Sequence, residues 1–286
     1  MILSVVVITH NEEVNIARTL ASVQPLVADG KGEIIVVDSG STDRTVEIAK
    51  SFGAKVFIEE WKGYAAQKNS AIDKAAGDWI LSLDADEEVT PELAFELENH
   101  ETTSAVNPAE RERNWCLTME QPSAGPRNID KLAGPPIGYW IPRKNHFLGR
   151  WIKHGGFWPD TKLRLYRRGA GTFEARAVHE DIQVKGSTRN LRGALVHYSY
   201  PTLADYIDHM NRYSSLGAEM AVTKGPRGFS VFNIVLRPLA TFTYNYFFRL
   251  GFLDGREGLL LHLYHAVYVS WKYAKAWEIS RSKNSQ

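Results

Sequence analysis

Five consecutive residues, Asp84-Ala85-Asp86-Glu87-Glu88, carry four carboxylates directly after the apolar run Trp79 to Leu83. Acids this close repel one another unless a cation neutralises them, and oxygen ligands with phosphate as a further ligand suit Mg2+ or Mn2+. The same residues also suit a solvated loop leading into a helix, because Glu87, Glu88 and Glu92 lie near Pro91, where the positive end of a helix dipole would sit. A calcium EF-hand is disfavoured, since Val89 and Phe95 stand where that loop needs Gly and Glu. A further carboxylate, Asp38, closes a second apolar run in Val36-Val37-Asp38-Ser39-Gly40-Ser41-Thr42-Asp43. Carboxylates at strand ends can hydrogen-bond a base or ribose, or hold a cation.

The elements that must position these acids are legible upstream. Runs at Leu3 to Thr9, Glu33 to Asp38, Lys55 to Ile58 and Trp79 to Leu83 lack period-two alternation, as expected of parallel strands covered on both faces. Helical patterns lie between them. Val14, Ile16, Ala17, Leu20 and Val23 share one face, Val46, Ile48 and Ala49 a second, and Ala65, Ala66, Asn69, Ile72 and Ala76 a third. Ser41-Thr42 can cap the second helix, and Thr90-Pro91 opens another with Pro at its first position. Repeated strand-helix units predict a doubly wound α/β sheet with ligands at the carboxyl ends of its strands. A nicotinamide-type reading fails, because the first strand runs into Thr9-His10-Asn11-Glu12-Glu13 and not into Gly-x-Gly-x-x-Gly. No Walker lysine loop is present either.

Composition bounds the rest. The 286 residues are 44% hydrophobic and include one cysteine, Cys116. That excludes a disulfide framework or a zinc ribbon within one chain and favours a reducing compartment. The formal net charge of +1 conceals an asymmetry: residues 1–100 hold 18 acids and 8 bases, the remainder 15 acids and 26 bases. The amino-terminal apolar run is too short for a secretory segment and reads as a buried strand, so a cytoplasmic location is expected.

Taken together, Ser4 to Glu13, Val37 to Asp43, Gln67-Lys68-Asn69 and Asp84-Ala85-Asp86 resemble, in order and spacing, a family 2 glycosyltransferase of the GT-A fold. The resemblance implies an α/β, Rossmann-like, mostly parallel sheet with helices on both faces. It also implies an inverting enzyme that takes a sugar from a nucleotide diphosphate with Mg2+ or Mn2+. By that likeness Thr9, Glu12 and Asp38 lie against base and ribose, Lys68 near the nucleotide, Asp84 near ribose or sugar, and Asp86 on the metal. Asp43 reads as a helix-start residue and His10 as a loop residue touching the base.

Inverting transfer is a single displacement, so a carboxylate or His must accept the proton of the attacking hydroxyl. The candidate lies in Ala177-Val178-His179-Glu180-Asp181, with Glu180 placed ahead of Asp181 and His179 orienting its neighbour. A strand, Lys162 to Arg168, precedes it; its Arg164, Arg167 and Arg168 suit phosphate, although alternating charges usually mark a solvated face. His197 can complete the metal site or be a core histidine. These segments, with Gly149 to Gly156 and Pro159 to Lys162, resemble the lipopolysaccharide-core glucosyltransferase branch of the family. That branch implies transfer of a hexose, glucose from UDP-glucose, to an inner-core heptose or a similar glycolipid. Other expectations are a polyprenyl-phosphate or polysaccharide glycosyltransferase of the same fold, or an inactive nucleotide-sugar-binding protein.

By role the chain divides into a nucleotide-sugar half at 1–100, an acceptor and base half at 101–205, and a helical region at 206–286. Between Asn99 and Pro136 an edge strand around Trp115 to Met119 and a mobile acceptor loop are expected. From Phe229 to Trp277 aromatics alternate with Arg237, Arg249, Lys272 and Lys275. Its apolar runs fall short of the ~20 residues a spanning helix needs. This suits amphipathic helices in the headgroups of an anionic bilayer, on the cytoplasmic face of an inner membrane, with a packed or dimeric helical pair as the alternative. The basic remainder then fits a half that meets phosphorylated glycolipid. Nucleic acid is not expected, since no binding motif accompanies the bases.

Overall fold

The computed structural model describes residues 2–99, 135–174 and 182–284. The strand expected around Trp115 to Met119 lies outside them, as do Glu180 and Asp181. The described elements are β1 (Leu3–Thr9), α1 (Ile16–Val27), β2 (Gly32–Asp38), α2 (Thr45–Ser51), β3 (Lys55–Ile58), α3 (Tyr64–Asp73), β4 (Trp79–Asp84), β5 (Glu87–Val89) and α4 (Pro91–Glu98). After them come β6 (Gly138–Phe147), β7 (Arg150–Trp151), β8 (Asp160–Arg167), β9 (Gly171–Phe173), β10 (Ile182–Val184), β11 (Thr188–Asn190) and β12 (Leu195–Tyr200). Helices α5 (Leu203–Thr223), α6 (Arg237–Thr243) and α7 (Gly255–Asn284) complete the chain.

Internal packing gathers these elements into two units. Of the described residues, the first unit holds 2–99, 135–143, 159–174 and 182–197, and the second 144–158 and 198–284. The segments 1–100, 101–205 and 206–286 remain a division by role.

In the first unit, β3, β2, β1 and β4 lie side by side and parallel. β8 then adds antiparallel to β4, and β6 antiparallel to β8. Successive side chains of a strand point to opposite faces. Leu3, Val5 and Val7 accordingly join Ile16, Leu20, Val23, Leu93 and Leu97 of α1 and α4 in one core. Val6 joins Ile35, Val37, Ala71, Ile72 and Tyr166 in the other. Cover on both sides is the physical reason β1, β2 and β4 read as continuous apolar runs; the same expectation fails for β3, which lies at the sheet edge with Lys55, Phe57 and Ile58 exposed. Helix ends follow local chemistry. Thr90 caps α4 by accepting from the Leu93 N–H at 3.3 Å, with Pro91 in the first turn. At α2 the cap position is Arg44, without a side-chain cap bond, and not Ser41-Thr42; Asp43, one residue earlier, accepts from the Thr45 N–H at 3.0 Å. Val14, expected on the buried face of α1, is exposed and precedes the helix.

In the second unit, Thr202 and Asp205 close α5 with reciprocal side-chain to backbone bonds, a capping box. Lys275 of α7 ties back to α5 through the Asn211 carbonyl and the hydroxyls of Ser214 and Ser215, at 2.8–2.9 Å. Phe147, Ile152, Tyr206 and Leu261 form its core. No described helix is long and apolar enough to cross a membrane.

His262 of α7 is buried, and neither ring nitrogen has a hydrogen-bond partner. Burial, with His265 and Arg249 nearby and only Asp254 opposing, holds its pKa at about 4, against 6.5. The unfolded chain therefore binds a proton between pH 6.5 and 4 that the folded chain refuses, and stability is complete above 6.5 and falls through that window. Thermal melts should lose midpoint from pH 6.5 to 4, and His262→Leu should flatten that slope. An equal slope in the variant would assign the loss to other groups.

Candidate active site

Thr9 and Asp38 are paired neighbours at the ends of β1 and β2, and the loops beyond them are stitched together. The Asn11 N–H donates to the Ser41 hydroxyl and the Asn11 side-chain oxygen accepts from the Thr42 N–H, both at 2.8 Å. The Glu12 N–H donates to Thr45 Oγ1 at 2.7 Å and the Glu13 N–H to Asp43 Oδ2 at 3.1 Å. Asp38 organises this corner from a fully buried position. Its Oδ2 accepts from the N–H groups of Gly40 (2.9 Å) and Ser41 (2.8 Å), and its Oδ1 from the hydroxyls of Ser41 (2.5 Å) and Thr9 (3.2 Å). A carboxylate offers about four acceptor sites, so the loop together with Thr9 fills them. The turn requires Gly40, whose φ of 83° strains any residue with a Cβ. Thr9 and Asp38 are thus brought together, with Asp38 shaping the loop.

The acidic cluster resolves into two environments. Asp84 ends β4 and receives Lys68 Nζ at 2.8 Å on one oxygen and Arg164 Nη2 at 2.5 Å on the other. Glu87 is fully buried; its Oε1 takes Arg164 at 2.5 Å and Arg143 at 3.0 Å, and its Oε2 accepts from the Asp84 N–H at 3.0 Å. Arg143 continues to Asp160. Lys68, 7% exposed, also lies 5.3 Å from the centre of the Phe173 ring. Acids and bases from α3, β4, β5, β6 and β8 therefore alternate through one network. Burial would raise the Asp84 pKa, but the charges of Arg164, Lys68 and Arg143 outweigh it and hold the carboxyl well below the ordinary range.

Asp86 stands apart from this network. β5 pairs antiparallel with β12 in the register His197↔Glu87, and this sets His197 Nε2 3.3 Å from Asp86 Oδ2. Burial raises the Asp86 pKa, and the imidazole, through charge and a hydrogen bond, more than offsets it. The pair offers one oxygen and one nitrogen donor, a set that a divalent cation completed by phosphate and water oxygens can use. Among the described residues no group of three His, Cys, Asp or Glu is gathered for a metal. Glu12 feels the same cluster. Burial raises its pKa, the bond from Asn15 opposes this, and the charges of Asp86, Asp43 and Asp84 add to the rise.

The sequence-derived residues thus meet as Thr9 with Asp38, Lys68 with Asp84 and Asp86 with His197, while Glu180 and Asp181 lie outside the described residues. The solvated-face expectation is corrected for Arg164. β8 lies between β4 and β6, and Arg164 is 5% exposed and paired on both sides. Arg143 joins the network without a sequence signal, and Asp160 has one only within the Pro159 to Lys162 likeness. The one sequence signal for Arg164 is its place between Leu163 and Leu165 in a strand otherwise fit for burial.

Residues 4–169 match the family described as Glycosyl transferase family 2. A glycosyltransferase of Rickettsia typhi is 30% identical over 99% of this chain and 89% of its own length. The lipopolysaccharide core biosynthesis glycosyltransferase LpsC of Rhizobium meliloti is 28% identical over 96% of this chain and 92% of its own. The crystal structure of glucosyl-3-phosphoglycerate synthase from Mycobacterium tuberculosis with Mn2+, UDP and glucosyl-3-phosphoglycerate aligns at 32% identity, over 30% of this chain and 33% of that one. Its TM-score is 0.28, too slight a likeness to carry fold or function. The family match spans the parallel sheet, the expected GT-A fold, together with Lys68, Asp84 and Asp86, and the chain belongs to glycosyltransferase family 2.

Proposed function

We propose that this glycosyltransferase is an inverting hexosyltransferase that moves glucose from UDP-glucose to a heptose of a lipopolysaccharide inner core, or to a similar glycolipid. The observation that carries the reading is Asp84, clamped by Lys68 and Arg164, beside the Asp86–His197 pair at the carboxyl end of a parallel strand. The similarity to LpsC supports the acceptor class.

In this reading Thr9, Glu12 and the loop shaped by Asp38 receive base and ribose. Lys68 lies near the nucleotide, and the ion pairs fix Asp84 for ribose or sugar hydroxyls. Asp86 and His197 would hold Mg2+ or Mn2+, which when bound neutralises developing charge on the departing diphosphate. The acceptor hydroxyl oxygen forms the new bond to the anomeric carbon as the bond to the diphosphate oxygen breaks. Glu180 takes the hydroxyl proton, with Asp181 beside it in sequence.

A panel of nucleotide sugars with Mn2+, read by release of nucleoside diphosphate and followed by truncated core oligosaccharides as acceptors, tests the reading. UDP release from UDP-glucose is expected, and turnover of a different donor alone would replace the sugar. Asp86→Ala should lower metal-dependent transfer by about 10²–10⁴-fold, the equivalent of several kcal/mol of charge stabilisation. Full activity in that variant removes Asp86 from the metal.

The reading includes a peripheral membrane role on the cytoplasmic face, and the exposed apolar residues of the second unit support the membrane contact. Phe232, Leu239, Phe247, Phe248, Phe252 and Leu253 are all exposed, Leu239 by 60% and Phe248 by 75%. Arg237 and Arg249 stand among them. Exposed apolar surface of this kind marks an interaction site, and bases at its edge favour anionic lipid. Vesicles with anionic lipid should bind the protein, binding should weaken with salt, and Phe247→Glu with Phe248→Glu should abolish it. A dimer that forms at the same face without vesicle binding would replace the membrane as its partner.

A further inference from the structure

The β6–β7 hairpin of the second unit has two unlike faces. Its register is His146↔Trp151 and Phe147↔Arg150, continued by the Ile152 N–H donating to the Asn145 carbonyl at 3.0 Å. The next positions across the hairpin are Lys144 and Lys153. Alternation sends Phe147 and Ile152 into the core with Tyr206 and Leu261. The other face carries Lys144, His146, Trp151 and Lys153.

Both ammonium groups lie against one indole: Lys144 Nζ is 5.1 Å and Lys153 Nζ 4.4 Å from the centre of the Trp151 ring. Like charges opposite each other on paired strands destabilise the pair, and these stand within the ~10 Å screening length of 0.1 M salt. Among the described residues neither ammonium has a carboxylate partner. The strand is nonetheless held in place. The buried Asp254 carboxylate accepts from the N–H groups of Lys153 (3.2 Å) and His154 (2.8 Å), and it engages His154 Nδ1 at 2.9 Å. Around the lysines are flat rings. Trp158 meets Trp151 edge-on at 5.2 Å, and His146 stacks with Tyr198 at 5.3 Å. The Trp151 Nε1–H is buried with no hydrogen-bond partner.

We propose that this face is a binding subsite for an anionic saccharide, a sugar bearing a phosphate or carboxylate group. The two ammonium groups receive the anion, which removes their mutual repulsion, and the ring cluster offers an apolar surface to the C–H face of the sugar. The saccharide part rests on the reading of the protein as a transferase to a glycan; the anion part stands on the lysines alone.

Isothermal titration of the full-length protein, with UDP present to occupy the donor site, tests it using glucose 6-phosphate, glucuronate, glucose and inorganic phosphate. Glucose 6-phosphate and glucuronate should bind, inorganic phosphate about tenfold more weakly, and glucose not measurably. Lys144→Gln and Lys153→Gln should each weaken glucose 6-phosphate about fivefold, near the upper range for exposed ion pairs. Each should also leave the thermal midpoint unchanged or raise it, because repulsion is relieved. Unchanged binding with a lowered midpoint would make the lysines structural braces on Trp151 and overturn the proposal. Equal binding of glucose and glucose 6-phosphate would overturn the anion, and equal binding of inorganic phosphate would overturn the saccharide. UDP-glucose turnover, measured separately, separates failure of this subsite from failure of the transferase reading.

Discussion

Glu180→Gln should lower the rate of transfer by about 10²–10⁴-fold, the range a positioned general base contributes, while UDP affinity stays near that of the parent. The amide keeps the shape of the carboxylate and cannot take the proton from the acceptor hydroxyl. Because the loss falls on the displacement step, kcat should drop with little change in donor KM. Asp181→Asn is the companion measurement. A surviving rate in Glu180→Gln with loss in Asp181→Asn would move the base one residue along the chain.

Arg164→Met should destabilise the protein by about 3–5 kcal/mol, because removing one member of a buried ion network leaves the others charged and unpaired. Asp84 would keep Lys68, but the fully buried Glu87 would retain only Arg143 and its bond from the Asp84 N–H. Thermal melts read the loss, and UDP titration reads its effect on Asp84. Adding Glu87→Gln to Arg164→Met should recover part of the stability, since the orphaned charge is then gone. A midpoint within a degree of the parent would show that water or rearrangement satisfies Glu87 and that the network is not a unit.

Parts of this architecture are plain from residue order. Strands β1, β2 and β4 are covered on both faces, so burial leaves a local record in a largely apolar run such as Leu3 to Ile8, whereas β3, at the sheet edge, leaves Phe57 and Ile58 exposed. Turn chemistry is equally local, as in Gly40 at positive φ and Thr90-Pro91 at the start of α4. Val14 shows the limit of periodicity: it continues the α1 pattern one turn too early and stands exposed outside the helix.

As candidates, Asp38, Asp84 and Asp86 were determined by the sequence, because a polar group at or just past the end of an apolar strand is visible without knowing its partners, whereas Lys68, on α3, entered only through the family likeness. Which partners hold each of them was decided by tertiary structure alone. Around Asp38 stand three donors of its own loop and the hydroxyl of Thr9 from β1. Arg164 and Asp84 lie 80 positions apart in the chain, and His197 meets Asp86 through the register of β5 on β12. Charge alternation along a strand looks the same whether it faces water or a buried counter-charge. Only the pairing of distant strands distinguishes the two, and that pairing follows from burial summed over the whole sheet.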